Sequence, residues 1–250
     1  MIPKVQLAPD YSISQLIAGG WQLQKRSDDA IEDLLQLSRL GITTYETSDT
    51  YSYGQSLLGR FLSRAQQSLP SDIFSGIQIH TRYTAPTTGS APSKATIVDS
   101  IDRSLKELKV PRLDLLQLQW WNFNVPGFEE TLSLIGDLRK AGKIHHIGVT
   151  NFGVHILDRV IATNVPVVTN QVQYSILDRR ADNQLSAYAE RYGINLLTYG
   201  ALAGGFLGRK WISAHDPAAV PMSGKRFSHE YRSIIDLAGG WNAFRNFLRA

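Results

Sequence analysis

The fold of this chain is decided by the stretch GITTYETSDTYSYGQSLLGR at residues 41–60. It opens with a short β-branched run at residues 42–45 and places a carboxylate, Glu46, where that run ends. A polar connection carrying Tyr51 follows, and a helical apolar pattern resumes at residues 57–58. A strand that delivers an acid to its carboxyl end before a helix indicates a parallel α/β sheet, in which ligands bind at that end.

The same strand–helix unit recurs along the chain, at spacings of roughly 25–35 residues. Short apolar runs alternate with amphipathic helices, and this pattern predicts a parallel sheet. The predicted strands are residues 16–20, 42–46, 76–81, 113–118, 144–149, 167–172 and 194–199. Residues 4–15 predict a β-hairpin that turns at Pro9-Asp10. Residues 209–230 have the composition of a loop, and the pattern shows no eighth strand.

Composition limits the class of protein. A length of 250 residues suits one domain spanning residues 1–250. The net charge of +4 comes from scattered Lys and Arg without a basic block, so we expect no nucleic-acid partner. The absence of cysteine excludes disulfides and thiolate nucleophiles. Without a long apolar run or a signal-peptide core, we expect a soluble cytoplasmic protein and no membrane association.

Five ordered motifs carry a resemblance to a known family. After GITTYETSDTYSYG come LDLLQLQWW (113–121), GKIHHIGVTNF (142–152), NQVQYS (170–175) and LLTYGALAGGFL (196–207). Together they resemble the aldo-keto reductases, which are (β/α)8 barrels that reduce carbonyl compounds with NADPH. The resemblance runs from residue 16 to residue 248. It implies the α/β class, as a (β/α)8-type TIM barrel that lacks its eighth strand and begins with a short β-hairpin.

The family's catalytic tetrad consists of Asp, Tyr, Lys and His. Carried over by position, its tyrosine is retained as Tyr51, whereas its Asp falls at Glu46, its Lys at Arg82 and its His at Gln119. The resemblance implies that these four form the catalytic site, with Tyr51 as proton donor or acceptor. Arg82 can favour the phenolate but cannot release a proton, and the Gln119 amide can donate to a carbonyl oxygen. A packed loop tyrosine and a purely structural Glu46–Arg82 ion pair are the alternatives.

The nicotinamide half of the family's cofactor site is retained by resemblance. Thr150, Asn151 and Gln171 match the residues that hold the carboxamide, and Tyr199 matches the stacking aromatic residue. Gly204 lies in a glycine-rich loop whose N–H groups could contact a pyrophosphate. The family's basic contacts to the adenosine 2′-phosphate are missing, at a cost of ~1.5–3 kcal/mol each. We therefore expect no cofactor, or NADPH if the protein is a reductase.

The remaining candidate residues are expected either to line the substrate pocket or to have no role as metal ligands. Aromatic and polar residues at strand ends are expected to contact a small-molecule substrate, with core packing as the alternative; they are Trp21, His80, Trp120, Trp121 and Asn122. Adjacent residues of a strand point to opposite faces, so His145 and His146 are expected to lie apart. We accordingly expect no metal site.

These observations favour a repurposed barrel. The expected function is non-redox acid–base chemistry of the cyclase, isomerase or lyase type on a small carbonyl-containing or aromatic metabolite. The alternative is an NADPH-dependent carbonyl reductase with a substituted tetrad, and a third possibility is a non-catalytic barrel that binds a ligand or a partner protein. Without strand eight the sheet would expose two edges, so we expect a possible homo-oligomer that covers them.

Overall fold

A parallel sheet of seven strands, with helices in its connections, is the main feature of the protein, whose structure is a computed structural model. The structure describes residues 2–22, 28–51, 53–214, 216 and 226–249. The strands are β1 (Lys4–Ala8), β2 (Tyr11–Ser14), β3 (Ile17–Gly19), β4 (Thr44–Glu46), β5 (Gln78–Thr84), β6 (Leu113–Gln119), β7 (Ile144–Thr150), β8 (Val167–Gln173) and β9 (Asn195–Tyr199).

Nine α-helices are found among the described residues. They are α1 (Asp28–Arg39), α2 (Gly54–Ser68), α3 (Ser71–Phe74), α4 (Lys94–Leu108), α5 (Phe128–Lys140), α6 (Val154–Ala162), α7 (Gln184–Arg191), α8 (Arg226–Leu237) and α9 (Gly240–Arg249). Short 3-10 turns cover Gly20–Gln22, Arg180–Asp182, Ala203–Gly205 and Arg209–Trp211. Each of the seven predicted strand–helix units is therefore present with small shifts at its ends.

The order of the strands confirms the predicted fold class. The main sheet runs β3-β4-β5-β6-β7-β8-β9, which is the chain order, and the four pairs from β3 to β7 are parallel. Strands β1 and β2 form the separate antiparallel hairpin. This is the topology of a (β/α)8 barrel without its eighth strand, as far as the described residues show.

One predicted loop is partly helical. Helix α8 begins at Arg226, inside the segment 209–230 that was predicted as a loop, whereas residues 217–225 lie outside the described residues. Tyr231 and Ile235 are buried four residues apart, which is one helical turn. The loop prediction was wrong for the start of α8. The Pro and Gly residues that precede it are typical of a loop, and the amphipathic pattern that follows them is short.

The described chain forms two compact units, each with its own core. The first comprises Met1–Asn170 with Gly193–Asn195, and the second comprises Gln171–Tyr192 with Leu196–Ala250. The largest fully buried side chains of the first unit are Tyr45, Phe61, Phe128 and Phe152. In the second unit, aromatic and aliphatic residues form one cluster, namely Ala203, Phe206, Tyr231, Ile235, Trp241 and Phe244. A single domain over residues 1–250 stays a prediction.

The hairpin packs its second strand against buried histidines of the first unit. Tyr11 Oη lies 2.9 Å from His80 Nε2, and the Tyr11 ring stacks on His146 with centroids 4.8 Å apart. Burial lowers the pKa of His80 to about 3, so its ring is neutral at pH 7. His80 is thus a buried partner of the hairpin tyrosine.

The prediction that His145 and His146 lie apart was wrong. Their ring centroids are 4.1 Å apart, and both Nε2 atoms approach the carboxylate of Asp10 in the hairpin turn. Strict alternation fails here because the hairpin turn lies beside the start of β7, so both rings lean toward the same carboxylate.

No helix among the described residues is long and apolar enough to cross a membrane.

Candidate active site

Glu46 is placed at the carboxyl end of β4 by a short strand whose three residues are all buried. Parallel pairing aligns Glu46 with Gly19 of β3, and a Cβ at Gly19 would lie 3.7 Å from Glu46 Oε2. The guanidinium Nη2 of Arg82, on β5, donates a hydrogen bond to Glu46 Oε1. Both side chains are largely buried, at 13% exposure for Arg82 and 7% for Glu46. The strand end therefore holds an ion pair that is shielded from solvent.

Tyr51 lies in the loop between β4 and α2 and joins this ion pair. Arg82 Nη2 donates to Tyr51 Oη over 3.1 Å, and the guanidinium carbon is 5.6 Å from the centre of the phenol ring. The backbone N–H of Gly54 donates to the Tyr51 carbonyl over 3.0 Å. A Cβ at Gly54 would lie 2.5 Å from Thr47 Oγ1 and 3.1 Å from Tyr51 Cβ, so the close turn of this loop requires glycine.

Gln119 completes the set from the carboxyl end of β6. Its Oε1 accepts a hydrogen bond of 3.5 Å from Arg82 Nη1 and also lies 3.5 Å from Thr84 Oγ1. Since the amide oxygen faces the Arg82 guanidinium, the amide nitrogen is the group that can donate to a ligand. The structure therefore brings together all four residues that were predicted as catalytic.

The charges of the site follow from burial and from the contacts of Arg82. Burial raises the pKa of the Glu46 carboxyl by more than the adjacent Arg82 lowers it. Burial lowers the pKa of Arg82, but Glu46 and Tyr51 outweigh it and the net pKa is raised. Arg82 thus keeps its positive charge next to the phenol, where that charge favours the phenolate over the neutral form.

Asp49 is a structural residue of the site that the sequence reasoning missed. Its Oδ2 accepts from the Thr84 backbone N–H over 3.0 Å, and its Oδ1 accepts from Thr84 Oγ1 over 2.9 Å. Burial raises the pKa of Asp49, although the hydrogen bonds from Thr84 oppose that shift. These bonds attach the loop that carries Tyr51 to β5. The sequence did contain a signal for Asp49. It is an acidic residue between Glu46 and Tyr51, in a connection rich in residues that commonly cap helices and turns.

The nicotinamide candidates of the first unit lie one strand beyond Gln119. Parallel pairing aligns Gln119 with Thr150 at the end of β7, and Thr150 Oγ1 is buried without a hydrogen-bond partner. Asn151 follows in the left-handed conformation with φ 59°. Asn170 Nδ2 donates to the Phe152 carbonyl over 2.7 Å and so holds the chain that leaves β7. The unsatisfied Thr150 hydroxyl beside Gln119 can donate a hydrogen bond to an amide ligand or accept one from it.

The other cofactor candidates, Gln171, Tyr199 and Gly204, belong to the second unit. Gln171 is buried and Tyr199 is half-buried. Gly204 has φ 62°, and a Cβ there would lie 2.5 Å from the ring of Tyr231. Packing against that ring is sufficient to require glycine, so its cofactor role stays a prediction.

The aromatic candidates divide into packed and exposed side chains. Trp120 is buried edge-to-face against Phe128 at 5.6 Å, and its Nε1 donates to the Asn122 carbonyl over 3.1 Å. Asn122 Nδ2 in turn donates to a loop carbonyl, that of Thr87, over 2.9 Å. In contrast, Trp121 is 59% exposed and Trp21 is 37% exposed. The exposed pair, which follow β6 and β3, are the better candidates for contact with a substrate.

The sequence pattern of the aldo/keto reductase family matches residues 15–238. The chain belongs to the aldo/keto reductase family. Aldo-keto reductase YhdN of Bacillus subtilis (strain 168) is 30% identical over 236 residues, which is 85% of this chain and 70% of that protein. Pyridoxal reductase, chloroplastic, of Arabidopsis thaliana is 26% identical over 214 residues, which is 79% of this chain and 57% of that protein.

Solved structures agree with the family's fold. A thermostable aldo-keto reductase in complex with the inhibitor epalrestat has a TM-score of 0.69 and 24% identity. The match covers 84% of this chain and 77% of that one. Several curated relatives are longer than this chain, which spans 63% of aldo-keto reductase dtxS3 of Metarhizium robertsii and 57% of the pyridoxal reductase.

The prediction of non-redox cyclase, isomerase or lyase chemistry was wrong. The family's relatives are named aldo-keto reductases and reductases, and these names support an oxidoreductase. That prediction rested on the three substituted tetrad positions, but each substitution keeps the chemical kind of group. Glu46 is still an acid, Arg82 is still a cation and Gln119 is still a hydrogen-bond donor, and in the structure Arg82 contacts Glu46, Gln119 and Tyr51.

Proposed function

We propose that this protein reduces a small carbonyl compound to an alcohol with NADPH. The observation that carries the proposal is the hydrogen bond of 3.1 Å from Arg82 Nη2 to Tyr51 Oη, within a buried cluster that also holds Glu46 and Gln119. A phenol beside a fixed cation is a proton donor whose charged product is stabilised before the reaction begins.

Tyr51 acts as the general acid. Its Oη proton passes to the carbonyl oxygen, and the phenolate that remains is stabilised by the positive charge of Arg82. Glu46 accepts a hydrogen bond from the same guanidinium nitrogen, Nη2, and so holds the guanidinium beside the phenol. Because arginine does not release its proton at working pH, the proton that restores Tyr51 comes from solvent. The partial exposure of Tyr51 provides that access.

Gln119 positions the carbonyl group. With its Oε1 turned toward Arg82 and Thr84, its Nε2 donates to the substrate oxygen as negative charge develops there. A neutral amide does not titrate, so Gln119 contributes no pH dependence to the proton transfer.

The family's cofactor fits the first unit at one point that the structure describes. Thr150 Oγ1, buried and without a hydrogen-bond partner, would hold the carboxamide together with Asn151. When bound, NADPH supplies the hydride that reduces the carbonyl carbon. Gln171 and Tyr199 belong to the second unit, and their cofactor roles stay predictions. The conditional prediction of NADPH is thus the one that family membership supports.

The substrate class is a small aldehyde or ketone with an aromatic or apolar body. The exposed indoles of Trp21 and Trp121 offer flat apolar surface after strands β3 and β6. One relative is named pyridoxal reductase, so pyridoxal, an aromatic aldehyde, is a suitable first probe. Self-association and a cytoplasmic location stay predictions beside this proposal.

Tyr51→Phe tests the assignment because it removes one oxygen atom from the site. We expect kcat for pyridoxal reduction, followed as loss of NADPH absorbance, to fall by roughly 10²–10⁴-fold. NADPH binding, measured by a blue shift of its fluorescence, should change little because the ring remains.

Tyr53→Phe is the matched control, since it makes the same change two residues away at a side chain with 38% exposure. It should keep the wild-type kcat. Equal activity of Tyr51→Phe and wild type would remove Tyr51 as the proton donor. A wild-type protein that neither binds NADPH nor consumes it with any aldehyde tested would contradict the reductase function itself.

A further inference from the structure

A cluster of three potential metal ligands lies where the N-terminal hairpin meets the start of β7. Asp10 Oδ2 is 2.8 Å from His145 Nε2, and Asp10 Oδ1 is 3.2 Å from His146 Nε2. One ligand atom from each residue can be chosen so that all three lie within 4.8 Å of one another. The proposed reductase chemistry uses none of these residues, which all belong to the first unit.

We propose that Asp10, His145 and His146 bind a divalent transition-metal ion, with Zn²⁺ as the ion that their donor atoms suit. Two imidazole nitrogens and one carboxylate oxygen form a ligand set typical of zinc, whereas Mg²⁺ and Ca²⁺ prefer oxygen alone. The bound ion would link the hairpin turn to the start of β7. This place is away from the carboxyl ends of the strands, where the candidate catalytic residues lie.

The ligand atoms lie close enough that side-chain rotation would bring them to a metal ion. Zinc–ligand bonds of ~2.0–2.2 Å place neighbouring ligand atoms of a tetrahedral site about 3.3–3.6 Å apart. Each imidazole Nε2 faces a different oxygen of Asp10, at 2.8 Å from Oδ2 and 3.2 Å from Oδ1, and one ligand atom from each of the three residues lies within 4.8 Å of the others. Small rotations of an exposed aspartate side chain are sufficient to admit the ion, because 62% of the Asp10 side chain is exposed.

The imidazole of His146 supplies an independent observation. Its side chain is only 4% exposed, and Nε2 makes no hydrogen bond even though Asp10 Oδ1 is near. Buried polar atoms are nearly always satisfied, so this nitrogen is aimed at the cluster without a proper partner there. A metal ion between Nε2 and the carboxylate satisfies both groups.

The surroundings hold the two rings in place for binding. Tyr11 stacks on His146 at 4.8 Å and meets His145 edge-on at 5.6 Å, while its own Oη is held at 2.9 Å by His80. The nearby cation Arg139 directs Nε to the His145 backbone carbonyl over 2.9 Å and so does not occupy the ligand atoms. The three protein ligands leave one position open toward solvent at the exposed side of Asp10.

Zinc titration of the full chain, without an affinity tag and after dialysis against a chelator, tests the proposal. ZnCl₂ is added in competition with a chromophoric zinc chelator. We expect one Zn²⁺ to bind per chain, and we expect Asp10→Asn and His145→Gln each to weaken binding by more than about hundredfold, since loss of a ligand exceeds the 10–100-fold effect of an outer-shell change. His155→Gln, at an exposed histidine of α6, is the matched control and should bind as the wild type does.

Two further readouts keep the result decisive. Zinc should raise the Tm of the wild type and of His155→Gln but not that of Asp10→Asn or His145→Gln. Co²⁺ added to the wild type should give the intense visible absorption of a four-coordinate ion, and this requires no variant to fold. Absence of stoichiometric zinc binding, wild-type affinity in both ligand variants, or the weak spectrum of hydrated Co²⁺ would overturn the proposal.

Discussion

Replacing Arg82 with methionine removes the guanidinium from Tyr51 and keeps a long apolar side chain in its place. The lost contact is a hydrogen bond of 3.1 Å from a charged donor that is only 13% exposed. Such bonds contribute ~1.5–3 kcal/mol, and solvent screens this one little because it is buried. If the phenolate forms in the transition state, kcat should fall by about ten- to hundredfold.

Folding must be separated from catalysis in this variant. Arg82→Met alone leaves Glu46 buried without its cation, and breaking a buried pair in this way costs about 3–5 kcal/mol of unfolding free energy. The double variant Arg82→Met/Glu46→Gln removes the unpaired carboxylate, so it should recover most of that loss. Urea unfolding of wild type, single and double variants measures the recovery.

The catalytic effect is read from kcat for pyridoxal reduction in the double variant. Arg82→Lys is the matched control, because it keeps the positive charge and introduces the family's own residue at this position. We expect Arg82→Lys to stay within about tenfold of the wild type, whereas the double variant stays low. A folded double variant with wild-type kcat would refute the reasoning, and an equally large loss in Arg82→Lys would show that shape rather than charge matters.

Two further predictions concern stability. The pKa of His80 is lowered from 6.5 to about 3. Between these two values the unfolded chain binds a proton that the folded chain does not. The free energy of unfolding therefore falls by up to about 1.4 kcal/mol for each unit by which the pH decreases. His80→Gln should lose that slope in urea unfolding across pH 4 to pH 6 (roughly the middle of the window), and an unchanged slope would contradict the assignment. Gly59→Ala in α2 would place Cβ onto the Glu107 backbone carbonyl oxygen and should lower the Tm, with a loss of about 1–3 kcal/mol. Gly136→Ala in α5 meets only a Val165 methyl at 3.1 Å and should be near neutral; equal losses in both variants would show that backbone overlap is not the cause.

Much of the fold could be predicted because it depends on local patterns. Strand β4 and helix α2 follow from the β-branched run and the apolar spacing in residues 41–60, and parallel pairing follows from alternation with helices. Helix α8 was not predicted, since its start lies in a stretch whose composition resembles a loop. Its burial depends on partners such as Phe206 that are distant in sequence from Tyr231.

The candidate site was predictable as a set of residues but not as an electrostatic arrangement. The family resemblance pointed to Glu46, Tyr51, Arg82 and Gln119. Glu46 and Gln119 end strands β4 and β6, and Arg82 lies near the end of β5. The sequence did not show that one guanidinium contacts all three of the others. Reasoning from substituted residue types led to a non-redox function, whereas the geometry keeps a cation beside the phenol, with an acid and an amide bonded to that cation.

Residue order and spacing determined the strand–helix repeat, since that repeat depends on neighbours along the chain. The ordered motifs indicated the reductase family by resemblance, and the same resemblance predicted the four central residues. Only the tertiary structure decided that the two adjacent histidines converge on Asp10, and that Trp120 packs inward while Trp121 is exposed. Those outcomes depend on which distant segment lies beside a strand. Contacts between segments far apart in sequence are set by packing, which periodicity along the chain does not encode.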